Sequence, residues 1–176
     1  MASEPVPYGY SYLLDALIKS FSWRLSGILQ GMIALLQRVS SAAVSVGGET
    51  VGEIGRGLLV LVAVHRDDQE QDIARLAERV LTFRVFPDAE GRMNRSVIDQ
   101  GFELLLVPQF TLAADTKKGT RASFTKAAAP DKGEAYFERL VAACRQRLDT
   151  VETGRFGANM KVRLTNDGPV TFWLET

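Results

Sequence analysis

Cysteine and histidine are almost missing from this chain, which carries one of each, Cys144 and His65. A single cysteine excludes an internal disulfide framework and a thiolate metal cluster. Cys144 falls on a helical pattern and reads as a small buried apolar residue. A single histidine leaves one candidate for any triad that needs an imidazole base. His65 stands at the end of the strand-like run Leu58–Val64, where an ordinary surface or satisfied residue is the usual case, and it is given no catalytic role. There is no H-E-x-x-H or C-x-x-C, and no G-x-G-x-x-G follows Gly55-Arg56-Gly57. No metal, cofactor or dinucleotide site is therefore expected.

Neither sign of charge is in excess. The 21 basic and 21 acidic side chains give a formal net charge of zero. Any nucleic-acid partner must be held by a local patch and by shape, which excludes a duplex-coating protein and leaves one that grips the end of an RNA. What is present is ordinary for a globular protein: 176 residues, 46% hydrophobic and 24% charged, enough for one domain with a sizeable core.

Residues 1–31 differ from the rest and read as an N-terminal extension, disordered or partly helical. Leu13, Leu17, Phe21, Leu25 and Ile28 recur at roughly helical spacing, but Asp15, Lys19 and Arg24 exclude a membrane span. No leader with a basic start, apolar run and cleavage site is evident. A docked amphipathic helix and a membrane-surface helix compete here with residues ahead of the natural start, and the last is favoured because Met32 opens directly into a strand. Met32–Thr176 is taken as the functional unit.

From Met32 the pattern predicts an α+β domain. Ile33–Val46 is rich in β-branched and apolar residues, and Gly47-Gly48 offers a hairpin turn into Glu49–Ile54. Leu58–Val64 and Phe102–Val107 suit central strands. Asp67 or Asp68 is placed to cap a helix through about Phe83, with Ile73, Leu76, Ala77, Val80 and Leu81 as its buried stripe. A second helix is expected from about Lys132 to Leu148, and short strands at Val151–Phe156, Lys161–Leu164 and Val170–Leu174. Hairpins with two main helices imply a curled antiparallel or mixed β-sheet, a half-open barrel.

Three segments suit neither a plain core nor a plain surface. In Val107-Pro108-Gln109-Phe110-Thr111-Leu112 a buried strand runs into a proline, which cannot donate a ladder hydrogen bond. The expectation is that pairing loosens there and turns the N–H groups of Gln109, Phe110 and Thr111 towards a ligand, as an oxyanion site requires. The plainer reading is a strand end with one buried Phe. Asn166-Asp167-Gly168-Pro169-Val170-Thr171 signals a turn in which Gly-Pro is a plausible cis peptide, able to align successive carbonyls; the plainer reading is a hairpin turn. Thr116-Lys117-Lys118-Gly119-Thr120-Arg121, with Lys126 beyond it, sets four positive charges against Asp115, either as phosphate contacts or as a solvated loop.

Together these residues resemble the D-aminoacyl-tRNA deacylase (D-tyrosyl-tRNA deacylase) family across nearly all of Met32–Thr176. The resemblance is carried by Met32-Ile-Ala-Leu-Leu-Gln-Arg-Val39, by Gly91-Arg-Met-Asn94, and most specifically by Gln109-Phe-Thr-Leu-Ala-Ala-Asp-Thr-Lys-Lys-Gly-Thr-Arg121 with Ser123-Phe124. It closes with Phe156-Gly-Ala-Asn-Met160 and Asn166-Asp-Gly-Pro-Val-Thr171. It implies that family's fold and a cytoplasmic homodimer, neither membrane- nor DNA-bound, that acts on aminoacyl-tRNA at its 3′ terminal adenosine. It further implies that Gly168 and Pro169 are cis and screen chirality in the partner's pocket, their carbonyls reading the α-amino group. By the same resemblance Gln109, Phe110 and Thr111 line the reacting ester, with Phe110 near the adenosine. Arg38 holds the Gly-Pro loop, and Met160 and Asn166 belong to the substrate site. Lys117, Lys118 and Arg121 are the candidate RNA contacts.

Hydrolysis of D-aminoacyl esters, and of glycyl-tRNA since glycine has no side chain to exclude, is the expected activity. Thr111 orients and the terminal ribose 2′-OH assists, because no neighbouring histidine or lysine is evident as a base for the threonine. One position departs from the family, which commonly has Ser before Gln-Phe-Thr where this chain has Pro108. A serine contact is lost there, while backbone chemistry should survive. The competing reading is an RNA-end or nucleotide-binding module of the same fold, inactive through Pro108.

Overall fold

Two glycines set the first turn of the sheet. In the computed structural model, which describes residues 31–117 and 119–176, Gly47 and Gly48 take φ of 61° and 95° and join β1 (Ile33–Val46) to β2 (Glu49–Ile54) as the hairpin expected. The N-terminal extension before Gly31, and Lys118, lie outside the described residues.

β1 is long enough to serve three partners. Its first half pairs antiparallel with β3 (Gly57–Ala63) and its second half with β2, while its other edge pairs along its length with β8 (Met160–Glu175). β3 continues in parallel to β6 (Glu103–Pro108), and β6 in parallel to β7 (Val151–Thr153). The mixed order β2-β1-β3-β6-β7 nearly closes on itself. A Cβ added at Gly52 of β2 would stand 2.6 Å from the Thr153 carbonyl of β7, so only glycine lets those two strands approach. This is the curled sheet the sequence implied.

Side chains alternate across that curl. Val39, Ala42, Val44, Ile54, Leu59, Leu105 and Val107 form the inner cluster, with Met160 and Leu164 packed against it. Leu58, Val60, Leu104 and Leu106 point to the other face, under α1 (Glu70–Thr82) and the later helix α3 (Pro130–Arg145). The buried residues of α1 are Ile73, Leu76, Ala77, Val80 and Leu81, the stripe the spacing predicts, and each large one contributes about 1.5–3 kcal/mol by leaving water. A short β4–β5 hairpin (Phe86–Pro87, Met93–Arg95) and a one-turn helix α2 (Val97–Gln100) lie between α1 and β6.

Several boundaries differ from the sequence reading, among them that of β7, which ends at Thr153 and not at Phe156. α1 starts after Gln69, not after Asp67 or Asp68, because the Asp68 carboxylate turns back to accept the His65 N–H at 2.6 Å. α3 begins at Pro130, whose missing donor suits a first helical position, and ends at Arg145. The two C-terminal strands are one, β8, and Asn166–Pro169 is no hairpin turn.

Candidate active site

β1 and β8 pair antiparallel with two register shifts, a small one between Val39 and Ser41 and a larger one between Gln37 and Val39. Val39 lies opposite Asn166 and Gln37 opposite Thr171, so the four residues Asp167–Val170 stand against the single residue Arg38. The excess is thrown out as a bulge with Gly168 and Pro169 exposed at its tip and a cis peptide between them. Side chains hold it at its foot. The Asn166 carboxamide accepts from Val170 N–H at 2.7 Å and donates to Thr171 Oγ1 at 3.1 Å. From the opposite strand Arg38 Nε donates to the Asp167 carbonyl at 2.8 Å, and Nη1 to the Val85 carbonyl at 2.7 Å. Gly168 has φ of 152°, and a Cβ there would stand 2.6 Å from Val170 N, so the position tolerates no side chain.

The second part of the site is the end of β6. Pro108 keeps its place opposite Val62, and Gln109 N–H donates to the Val62 carbonyl at 2.7 Å. The expectation that proline would free the Gln109 N–H is therefore corrected. Backbone donors alternate sides along a strand, so the donor Pro108 lacks would face β7, which has already ended at Thr153, and the β3 side is untouched. The chain then turns into a single 3-10 turn, Phe110–Ala113. Among the described residues, the N–H groups of Phe110 and Thr111 at its start carry no hydrogen bond, as the first donors of a helical turn do.

Beside this turn lies a largely apolar cavity of about 560 Å³. Pro108, Gln109 and Phe110 line one side, Phe137 and Phe156 another, with Met160 and Val162 also in the wall. Phe110 is 57% exposed and stands 5.2 Å, centroid to centroid, from the exposed ring of Phe124. The plainer sequence reading, one buried Phe at a strand end, is thus not what the chain does. Met160 sulfur packs where a side chain on Gly154 would collide and accepts from the Arg155 N–H at 3.3 Å.

Thr111 faces a different hollow, of about 360 Å³, lined also by His65, Lys117 and Lys126. Its Oγ1 accepts from the Gln109 side-chain amide at 2.6 Å, and among the described residues no histidine or lysine is bonded to it. Lys117 and Arg121 are exposed on the loop closed by the Asp115–Ser123 backbone pair. The structure thus brings Gln109, Phe110 and Met160 to one cavity and Arg38, Asn166, Gly168 and Pro169 to one bulge. Neither Gly168 nor Pro169 lines that cavity.

Sequence reasoning missed one supporting cluster. His65 and Asp68 are both buried, and the Asp68 carboxylate accepts the main-chain N–H of His65, yet among the described residues His65 Nε2 and Asp68 Oδ1 have no partner. Burial pushes the Asp68 carboxyl up to about 7 and lowers the His65 imidazole. Around them Arg66 N–H donates to the Lys126 carbonyl and Ala128 N–H to that of Val64, pinning the Phe124–Ala128 side of the cavity. Lys132 Nζ donates to the carbonyls of Arg66 and Asp68 at 2.7 Å. An aspartate three residues after a strand-end histidine is the signal in the sequence, and its helix-cap pattern masks it. Cys144 is buried, as expected, and burial pushes its thiol up to about 12.

Comparison with known proteins shows the family and the fold. The family described as D-Tyr-tRNA(Tyr) deacylase matches residues 35–175. A D-aminoacyl-tRNA deacylase of Alkalilimnicola ehrlichii is 62% identical over 82% of this chain and 96% of its own length. One from Klebsiella pneumoniae is 60% identical over 82% and 99%. Among solved structures, c-Myc DNA Unwinding Element Binding Protein superposes with a TM-score of 0.78 at 37% identity, covering 82% of this chain and 98% of that one. A probable eukaryotic D-amino acid tRNA deacylase superposes with a TM-score of 0.74 over 82% and 99%, at 19% identity, a likeness of fold. No helix among the described residues is long and apolar enough to cross a membrane.

Proposed function

The chain belongs to the D-Tyr-tRNA(Tyr) deacylase family and hydrolyses D-aminoacyl-tRNA, and we propose that it does so in a cavity completed by the Gly168-Pro169 bulge of a second copy. The observation that carries this reading is the separation of the two halves. The bulge is rigidly held by Arg38 and Asn166, yet it is exposed and contributes nothing to its own chain's cavity. Among the described residues β8 is also an edge strand, paired with β1 alone, and it exposes Val162, Phe172 and Trp173 along 16 residues of which only Leu174 is buried. A long, partly apolar edge of that kind calls for cover, and a symmetric dimer supplies it.

In this reading the terminal adenosine enters the apolar cavity and stacks at the Phe110–Phe124 pair. Water adds to the ester carbonyl, and the charge that forms on its oxygen meets the uncommitted N–H groups of Phe110 and Thr111. The bond to the terminal ribose then breaks and the ribose oxygen takes up the proton, with the neighbouring 2′-OH as relay. Thr111 orients: its hydroxyl already accepts from Gln109, and among the described residues no base is bonded to it. The partner's Gly168 and Pro169 carbonyls receive the α-amino group and leave an L side chain no room, which rejects the wrong hand by collision. Lys117 and Arg121, on the exposed loop, contact phosphates of the RNA.

The test is time-resolved deacylation of D-tyrosyl-tRNA beside L-tyrosyl-tRNA. Rapid loss of the D ester alone is expected. Comparable loss of both would remove the chirality screen from Gly168-Pro169.

A further inference from the structure

A second groove, of about 600 Å³, adjoins the cavity along α3. The two share Phe137 and Phe156 as a common wall, so a chain leaving the cavity over Phe156 enters the groove directly. The cavity uses the N-terminal part of the helix, Pro130 to Phe137; the groove continues on from Glu134 through Glu138 and Val141 to Arg145. Its composition is unlike the cavity's. An apolar base of Val51, Val141 and the two rings is combined with Glu134 and Glu138, one helical turn apart, and with Arg155.

These three charged groups are exposed and uncommitted: among the described residues neither carboxylate nor the Arg155 guanidinium has a hydrogen bond or ion pair. Arg145, by contrast, is tied to the Val151 carbonyl through Nε and Nη2. Two acceptors and a donor over an apolar base are thus presented beside a site that, in the reading above, takes the last nucleotide of a tRNA.

Resting on that reading, we propose that this groove receives the penultimate nucleotide and recognises it as cytidine. Transfer RNA ends in C-C-A, so the residue before the terminal adenosine is a cytidine. The edge of cytosine offers an N4 amino donor with O2 and N3 acceptors. A glutamate accepts from the N4 amino group, and Arg155 donates to the acceptors. Uracil presents O4, an acceptor, where cytosine has its amino donor, so a carboxylate repels it. The half-buried ring of Phe156 supplies apolar surface for the base. The device reads a feature shared by all tRNAs and fits an enzyme that clears many aminoacyl-tRNAs.

Titration calorimetry of the full chain with AMP, CpA and UpA tests this. CpA is expected to bind at least about fivefold more tightly than UpA, the lower end of discrimination by a good base contact. The exposed double variant Glu134→Gln, Glu138→Gln is expected to bind CpA and UpA alike while its affinity for AMP is unchanged, since an amide can donate to O4 as well as accept from N4. If AMP binds and wild-type CpA and UpA are equal, the cytidine assignment is overturned and the adenosine cavity stands. If the variant keeps the preference for CpA, the two carboxylates are not its source. If none of the three binds, the adenosine reading falls, and this assignment with it.

Discussion

Arg38 and Asp167 face each other across the larger of the two places where β1 and β8 fall out of step. The guanidinium Nε donates to the Asp167 carbonyl at 2.8 Å and lies 3.4 Å from its carboxylate, while Nη1 reaches the Val85 carbonyl at 2.7 Å. One planar fork therefore ties the bulge to the loop after α1, a double engagement that the point charge of a lysine does not reproduce. Arg38→Lys is expected to lower kcat/KM for D-tyrosyl-tRNA by roughly 10- to 100-fold, the range for losing a charge-assisted hydrogen bond. Thermal unfolding should change little, and Arg38→Ala should be worse than Arg38→Lys. Unchanged kinetics in Arg38→Lys would show that the bulge keeps its place without the fork.

Much of this was legible in the sequence, and what was not has a common cause. Local pattern gave the β1–β2 hairpin through Gly47-Gly48 and the buried stripe of α1, because both depend on neighbours within one turn. Asn166–Pro169 has the composition of a turn. Only pairing with a strand more than a hundred residues away reveals that both flanks lie on β1 and that the segment is a bulge. The Gln109 donor was misjudged for a similar reason: which side of β6 a proline spoils depends on where β7 stops. Arg38, Gly168 and Pro169 were named from the resemblance, and nothing in their spacing said that Arg38 would stand opposite the bulge. The buried His65–Asp68 pair was not found at all, because burial of two polar residues at a strand end is a property of the packed fold.

Glycine tests the chirality screen from the side where it should fail. A wall that excludes an L side chain by collision has nothing to collide with on a glycyl ester. The chain is expected to clear glycyl-tRNA at enzyme levels that clear D-tyrosyl-tRNA, and to leave L-alanyl-tRNA intact. Acid-gel or filter assays of residual aminoacyl-tRNA would read this. Protection of glycyl-tRNA under those conditions would mean that selection depends on contacts with the D side chain.

Asp68 should make the fold less stable as pH rises. Burial lifts its carboxyl from 3.8 to about 7, so between those values the folded protein keeps a proton that the unfolded chain releases. Stability from this group is present at low pH and is lost as pH rises towards 7. The lowered imidazole of His65 acts in the opposite sense, costing stability as pH falls, but it is present in both proteins compared. Asp68→Asn keeps an acceptor for the His65 N–H and carries no charge. Urea unfolding at pH 5 and pH 8 should therefore show a stability difference that moves in favour of Asp68→Asn at the higher pH. A difference that does not vary with pH would mean that Asp68 is ionised across the range.

The division of the site between two chains has its sharpest test in mixed dimers. Gly168 has φ of 152°, and a Cβ there would collide with Val170 N at 2.6 Å, so Gly168→Ala should displace the bulge and lower activity about 100-fold. The Gln109→Ala, Phe110→Ala double variant should damage the other half, at the cavity. If each site takes its cavity from one chain and its bulge from the other, a heterodimer of these variants has one site carrying both lesions and one carrying neither. Random exchange makes half of all dimers mixed, each with one intact site, so activity should return to about a quarter of wild type. Two inactive preparations would then become active on mixing, with no change in sedimentation. If the bulge served its own chain's cavity, every site in the mixture would keep one lesion, and mixing would restore nothing.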